Sequence, residues 1–93
     1  MNKYNVKIFE GNNRILHRTV KAGSIEAAYY CENIINNLKK EVGVSVLNLT
    51  YSTIYEFQGS AELWLSNTKT GRKMFRLEAA LLHKDLKDNT LLI

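Results

Sequence analysis

From Lys3 to Phe9 polar and apolar residues alternate, which puts Tyr4, Val6 and Ile8 on one side of an extended strand. Gly11-Asn12-Asn13 follows, and a second alternating run carries Leu16, Val20 and Ala22. Two such runs around a Gly-Asn turn predict a β-hairpin. A three-residue loop pairs Ile8 with Leu16 and Val6 with Arg18, leaving Lys3, Lys7, His17 and Lys21 on the opposite face with Phe9 and Ile15. Arg18 is then out of place on the apolar side, and it must either reach a carboxylate or escape at the sheet edge.

Gly23-Ser24 ends the second run. Ser24 suits a helix N-cap, and Glu26 stands in the first turn, where a negative charge complements the helix dipole. Ala28, Cys31, Ile35, Leu38 and Val42 recur at three- and four-residue spacing, with Ala27 and Ile34 widening the stripe, so one helix with one core face is expected as far as Gly43. Tyr29, Asn33, Asn36, Asn37 and Lys40 would form its solvated outer face.

The stretch from Val44 to Phe57 has strand composition, and Leu47, Leu49, Tyr51, Tyr55 and Phe57 share one parity that Thr53 interrupts. An unbroken strand here would exceed the usual maximum of about ten residues, so a bulge or bend is expected near Thr50 to Thr53. Gly59-Ser60 marks a turn, Ala61 to Asn67 a strand, Thr68 to Gly71 a second turn and Arg72 to Leu81 a last strand. With Gly71 in the left-handed region, Thr68 pairs with Arg72, Leu65 with Phe75, Leu63 with Leu77 and Ala61 with Ala79. The same register sets Trp64 against Arg76 and Glu62 against Glu78 on the other face. A loop at Gln58 to Ser60 adds Tyr55 beside Leu63 inside, and Ile54 beside Trp64 and Glu56 beside Glu62 outside.

Glu56, Glu62 and Glu78 would thus stand abreast. Like charges directly opposite one another destabilise a sheet, so the row calls for neutralisation by nearby Lys or Arg, a basic partner surface or a divalent cation. Trp64 and Arg76, with Ile54 and Met74 around them, have the composition of an interface hot spot, or of a cation-π pair stiffening an ordinary sheet. The partner-binding candidates are therefore Glu56, Glu62, Glu78, Trp64, Arg76, Ile54 and Met74.

Ninety-three residues, 45% of them hydrophobic, are enough for one modest core and one domain, residues 1–93. The tail from residue 82 turns polar and closes on Leu91-Leu92-Ile93, which suits a frayed end, a short extra strand or a contact with a second subunit. A net charge of +4 is mild. Nucleic-acid binding is the alternative to a protein partner: Lys3, Lys7, His17 and Lys21 with Phe9 nearby, together with Lys69, Arg72 and Lys73, could neutralise phosphates while an aromatic ring stacks a base. One cysteine, Cys31, excludes an internal disulfide and points to a packing role in a reducing compartment. No stretch has the length of a membrane helix or the pattern of a signal peptide, so a cytoplasmic location is expected. His17 and His83 lack Cys, His or Asp neighbours at metal-ligand spacing, and there is no phosphate loop or nucleophile elbow. Neither a metal, a cofactor nor an enzymatic activity is expected.

The stretch VKIFEGNNRILHRTVKAGSIEAAYYCENI, residues 6–34, resembles a hairpin-then-helix pattern found in many small phage-encoded accessory proteins, including some anti-CRISPR and host-takeover inhibitors. The resemblance implies a small protein of the host cytoplasm that binds and blocks a larger protein or ribonucleoprotein complex, such as a CRISPR-Cas effector. The expected architecture is a two-layer α+β domain in the order ββαβββ, with one helix on one face of an antiparallel sheet. The expected strand order across the sheet is second, first, third, fourth, fifth.

Overall fold

Strand β1 (Asn2–Glu10) pairs antiparallel with β2 (Asn13–Ala22), and the pairs Ile8 with Leu16, Val6 with Arg18, Lys7 with His17 and Lys3 with Lys21 all form as the alternation predicts. The turn itself is one residue tighter, because Glu10 faces Asn13 and Phe9 faces Arg14. A bulge at Ile15 then restores the predicted register. The computed structural model describes residues 1–30, 32–43 and 49–83. Cys31, the stretch 44–48 and the tail 84–93, with the expectations attached to them, lie outside the described residues.

The helical connection is two short helices rather than one, so the element order is ββααβββ. Ser24 Oγ accepts a hydrogen bond from Ala27 N at 3.1 Å and caps α1 (Ile25–Tyr29). The helix stops at Tyr30, and α2 (Glu32–Val42) follows. Gly43 closes α2 with a hydrogen bond from its N–H to the Lys39 carbonyl at 2.7 Å. The break moves Tyr29. Within a five-residue helix the buried stripe is Ile25, Ala28 and Tyr29, an i, i+3, i+4 set, so Tyr29 is 3% exposed rather than on the solvated face. In α2, Ile34 and Leu38 are buried while Asn36 and Lys40 are exposed.

Strands β3 (Leu49–Phe57), β4 (Ser60–Asn67) and β5 (Lys73–His83) complete one antiparallel sheet of five strands. Residues 82 and 83 thus belong to β5 rather than to a tail. The β4–β5 pairs Leu65 with Phe75, Leu63 with Leu77, Ala61 with Ala79, Trp64 with Arg76 and Glu62 with Glu78 form as predicted. Here the loop is one residue longer than expected: Asn67 N–H donates to the Arg72 carbonyl at 2.8 Å in place of a Thr68–Arg72 pair, and a bulge at Met74 restores the register. Gly71 has φ 71° as expected, and Asn67 Oδ1 accepts from the N–H groups of Lys69 and Thr70.

The strand order is β2-β1-β5-β4-β3, which corrects the expected order. β5 is central because it offers Phe75, Leu77 and Ala79, all no more than 3% exposed, to the core and takes a neighbour on each side. β3 is poorer in apolar side chains, and from Thr53 to Phe57 it is exposed, which suits an edge. Arg18 also resolves at an edge: on outer strand β2 it is exposed, and its Nη1 donates to the His17 carbonyl at 2.9 Å.

One face of the sheet carries the core. Tyr4, Val6, Ile8, Leu16, Leu63, Leu65, Phe75 and Leu77 pack there with Ile25, Ala28, Tyr29, Ile34 and Leu38 of the helices. Fully burying one such side chain contributes about 1.5–3 kcal/mol. The opposite face bears no helix among the described residues.

Candidate binding surface

The third hairpin decides how the acidic residues are distributed. Gln58-Gly59 forms a two-residue turn with Phe57 opposite Ser60, Glu56 opposite Ala61 and Tyr55 opposite Glu62. Here the bulge falls in the leading strand, at Ile54, one residue beyond the predicted window, and beyond it Thr53 meets Leu63 and Ser52 meets Trp64. Each predicted pair in this hairpin is therefore corrected. Because the bulge inserts one residue, Tyr55 and Phe57 turn outward and Glu56 turns to the helix side. There the Tyr29 hydroxyl donates to Glu56 Oε2 at 3.2 Å. Burial, the Glu56 charge and this hydrogen bond together push the Tyr29 hydroxyl up to about 12. The Tyr30 ring contacts those of Tyr29 and Tyr51 in tilted arrangements, with ring centroids 4.7 and 4.6 Å away. Burial, then the adjacent Tyr30, raises the Tyr51 hydroxyl as well.

The row of three carboxylates is therefore a pair. Glu62 and Glu78 stay opposite one another, and Arg76 Nη1 bonds both, at 3.2 Å and 2.7 Å. Lys7 of β1 is the cross-strand neighbour of Glu78 on its other side. Neutralisation within the molecule thus accounts for the pair, and Glu56 is too differently placed to complete a cation site with it. Among the described residues no cluster of three or more His, Cys, Asp or Glu is placed to hold a metal ion.

Arg76 and Trp64 are cross-strand neighbours, but each finds its cation-π partner elsewhere. The Arg76 guanidinium lies over the Phe9 ring at 4.6 Å, and Lys73 Nζ lies over the Trp64 ring at 5.0 Å. This follows from the pairing of β1 with β5, which brings Phe9 opposite Arg76. Two half-buried rings, each under a cation, therefore flank Arg76 on the helix-free face.

The same end of the sheet is concave. A groove of about 270 Å³ is lined by Phe9, Gly11, Trp64, Lys73, Met74 and Arg76. It continues through Gly11, Lys73 and Met74 into a second, half-open hollow of about 660 Å³ that Glu10, Asn67, Thr70 and Arg72 complete. Glu10 and Gly11 were not legible as site residues, since only the long-range β1–β5 pairing carries the first turn to the β4–β5 loop.

The remaining sequence candidates scatter. Lys3 and Lys21 pair with each other at the opposite end of the sheet, where Lys3 also faces His83. Lys7 and His17 pair midway, with His17 Nε2 against Asn5 Oδ1. Arg72 and Lys73 stand at the groove end, with Lys69 on the same loop, so the predicted basic residues are divided among three places. Ile54, 46% exposed, sits on the β3 edge with Tyr55 and Phe57, away from the groove.

Comparison with known proteins finds no family model, no curated protein and no solved structure that matches the chain. No helix among the described residues is long and apolar enough to cross a membrane.

Proposed function

We propose that this protein is a non-enzymatic interaction protein that binds and blocks a larger macromolecular complex through the helix-free sheet face. The observation that carries this reading is the cluster of Phe9, Trp64 and Arg76 on the helix-free face beside a concave hollow, which Met74, itself packed against the core, also lines. Partly buried aromatic and arginine side chains around a depression are the composition that dominates binding energy at protein interfaces. Arg76 is held by Glu62 and Glu78, so its planar guanidinium is presented in one orientation and little side-chain entropy is lost on docking. The role of the acidic pair in this reading is to orient Arg76 rather than to attract a basic partner.

The hairpin-then-helix resemblance makes the target a bacterial defence effector of the CRISPR-Cas kind and the place of action the host cytoplasm. The test is inhibition of target cleavage by purified effectors, with the wild-type chain beside Trp64→Ala and Arg76→Ala variants whose circular dichroism is unchanged. Inhibition by the wild type that both variants lose supports the proposal. An effect retained at full strength by both variants removes the sheet face from it, and absence of inhibition across effector types removes the blocking role.

A further inference from the structure

Two features of the groove are not explained by a role in holding the sheet together. The first is the Lys73 ammonium over the half-buried Trp64 ring. Lys73 is exposed, and its ammonium sits over Trp64 without belonging to either carboxylate contact of the Glu62–Arg76–Glu78 set. The second is charge imbalance. Arg76 together with Lys7 balances Glu62 and Glu78, but Arg72 and Lys73 line the hollow against the single carboxylate of Glu10. Lys69 adds a further cation on the same loop. An occupant that satisfies both features must combine a flat π-system with negative charge.

We infer that the groove between the β1–β2 turn and the β4–β5 loop is a binding site for single-stranded nucleic acid, with Trp64 as the base-stacking ring and Arg72 and Lys73 as phosphate partners. Base stacking on aromatic side chains flanked by a basic track is the general means by which single strands are held without sequence readout. The smaller hollow is lined by Trp64 and Lys73, and the larger one, lined by Lys73 and Arg72, adjoins it, so base and backbone have separate places. A base entering over Trp64 takes the position of the Lys73 ammonium, which is carried on a flexible stem and can turn to the adjoining phosphate. A duplex does not suit the site, because its bases are stacked on one another and offer no free face to a recessed ring. The inference does not depend on a blocked protein partner, and the two can fail separately.

The chain contains one tryptophan, so intrinsic fluorescence reports on Trp64 alone. The experiment titrates the wild-type protein with a twelve-nucleotide single-stranded oligothymidylate, the corresponding duplex and a polyglutamate peptide of matched charge, following Trp64 emission and the anisotropy of the labelled probe at several salt concentrations. The single strand is expected to quench Trp64 and to bind with a salt slope of roughly −0.7 per phosphate neutralised. Trp64→Ala should weaken binding on the order of tenfold. Lys73→Gln should lower the salt slope by about one phosphate contact, whereas Lys3→Gln and Lys21→Gln, at the far end of the sheet, should leave it unchanged. Absence of both quenching and anisotropy change at low salt overturns the inference. So does polyglutamate binding as tight as that of the single strand, which would mark a general anion site, a preference for the duplex, or an equal loss from the Lys3 and Lys73 substitutions.

Discussion

Glu62 and Glu78 face each other directly across β4 and β5, and a single nitrogen of Arg76 joins both carboxylates. Removing that cation leaves two like charges opposed. The three side chains are 26–41% exposed, so solvent screens the repulsion, and Arg76→Met should cost on the order of 1 kcal/mol. Adding Glu78→Gln to Arg76→Met should recover most of the loss, and so should high salt. Urea unfolding midpoints of the single and double variants check this; a double variant no more stable than Arg76→Met would mean that charge opposition is not the cause.

Neighbouring residues of β4 should respond to truncation in opposite ways. Leu63 is fully buried opposite Leu77, and Leu63→Ala should cost about 2–5 kcal/mol by opening a cavity in the core. Trp64, half-buried on the helix-free face, should cost roughly 1 kcal/mol on truncation to Ala despite its larger size. Thermal unfolding of the two variants measures the difference, and a larger loss at Trp64 would reverse the assignment of faces.

Alkaline pH should destabilise the protein through Tyr29. Its hydroxyl titrates at about 12 in the folded chain against 10.0 ordinarily, so between these values the unfolded chain releases a proton that the folded one keeps. The stabilisation is complete below pH 10 and is lost as pH rises toward 12. Denaturant midpoints followed from pH 9 to 12 should therefore fall for the wild type and fall less steeply for Tyr29→Phe. Part of the slope should survive in the variant, since the Tyr51 hydroxyl is raised too.

Gly59 should not tolerate a side chain. Its φ is 79°, and a Cβ there would stand 3.0 Å from the Leu81 Cβ, while its carbonyl accepts a hydrogen bond from Leu81 N at 2.7 Å. Gly59→Ala should cost about 1–3 kcal/mol from backbone strain alone, with the contact adding to it. Gly23→Ala, where a Cβ meets nothing within 4 Å, should be close to neutral and serves as the control. Differential scanning calorimetry of both variants separates strain from a general effect of replacing glycine.

Much of the site's local geometry was legible beforehand. Alternation in β1, β2, β4 and β5, with turn residues at Gly11 and Gly71, sufficed to pair Val6 with Arg18, Leu63 with Leu77 and Trp64 with Arg76. The first of those turns is one residue tighter than expected and the second one residue longer, but the bulges at Ile15 and Met74 lie in the returning strand and restore the register. In the β3–β4 hairpin the bulge lies at Ile54 in the leading strand, so the same type of error was not cancelled, and Glu56 crossed to the helix side. Nothing local distinguishes these cases, because one inserted residue costs little in either strand and packing decides which one takes it.

By itself, then, the amino-acid sequence determined which side chains of each hairpin share a face, because side-chain direction alternates with period two and turn residues set the starting point. It did not determine which strand lies beside β1, nor that the helix breaks between Tyr29 and Glu32. Those features came from competition among whole elements for the core: β5, with the best apolar face, took the centre, β3 was left at the edge, and Tyr29 turned inward from a separate short helix. The groove that joins Phe9, Trp64, Lys73 and Arg76 exists only because of that outcome, since its two walls are more than fifty residues apart along the chain and meet through the β1–β5 pairing.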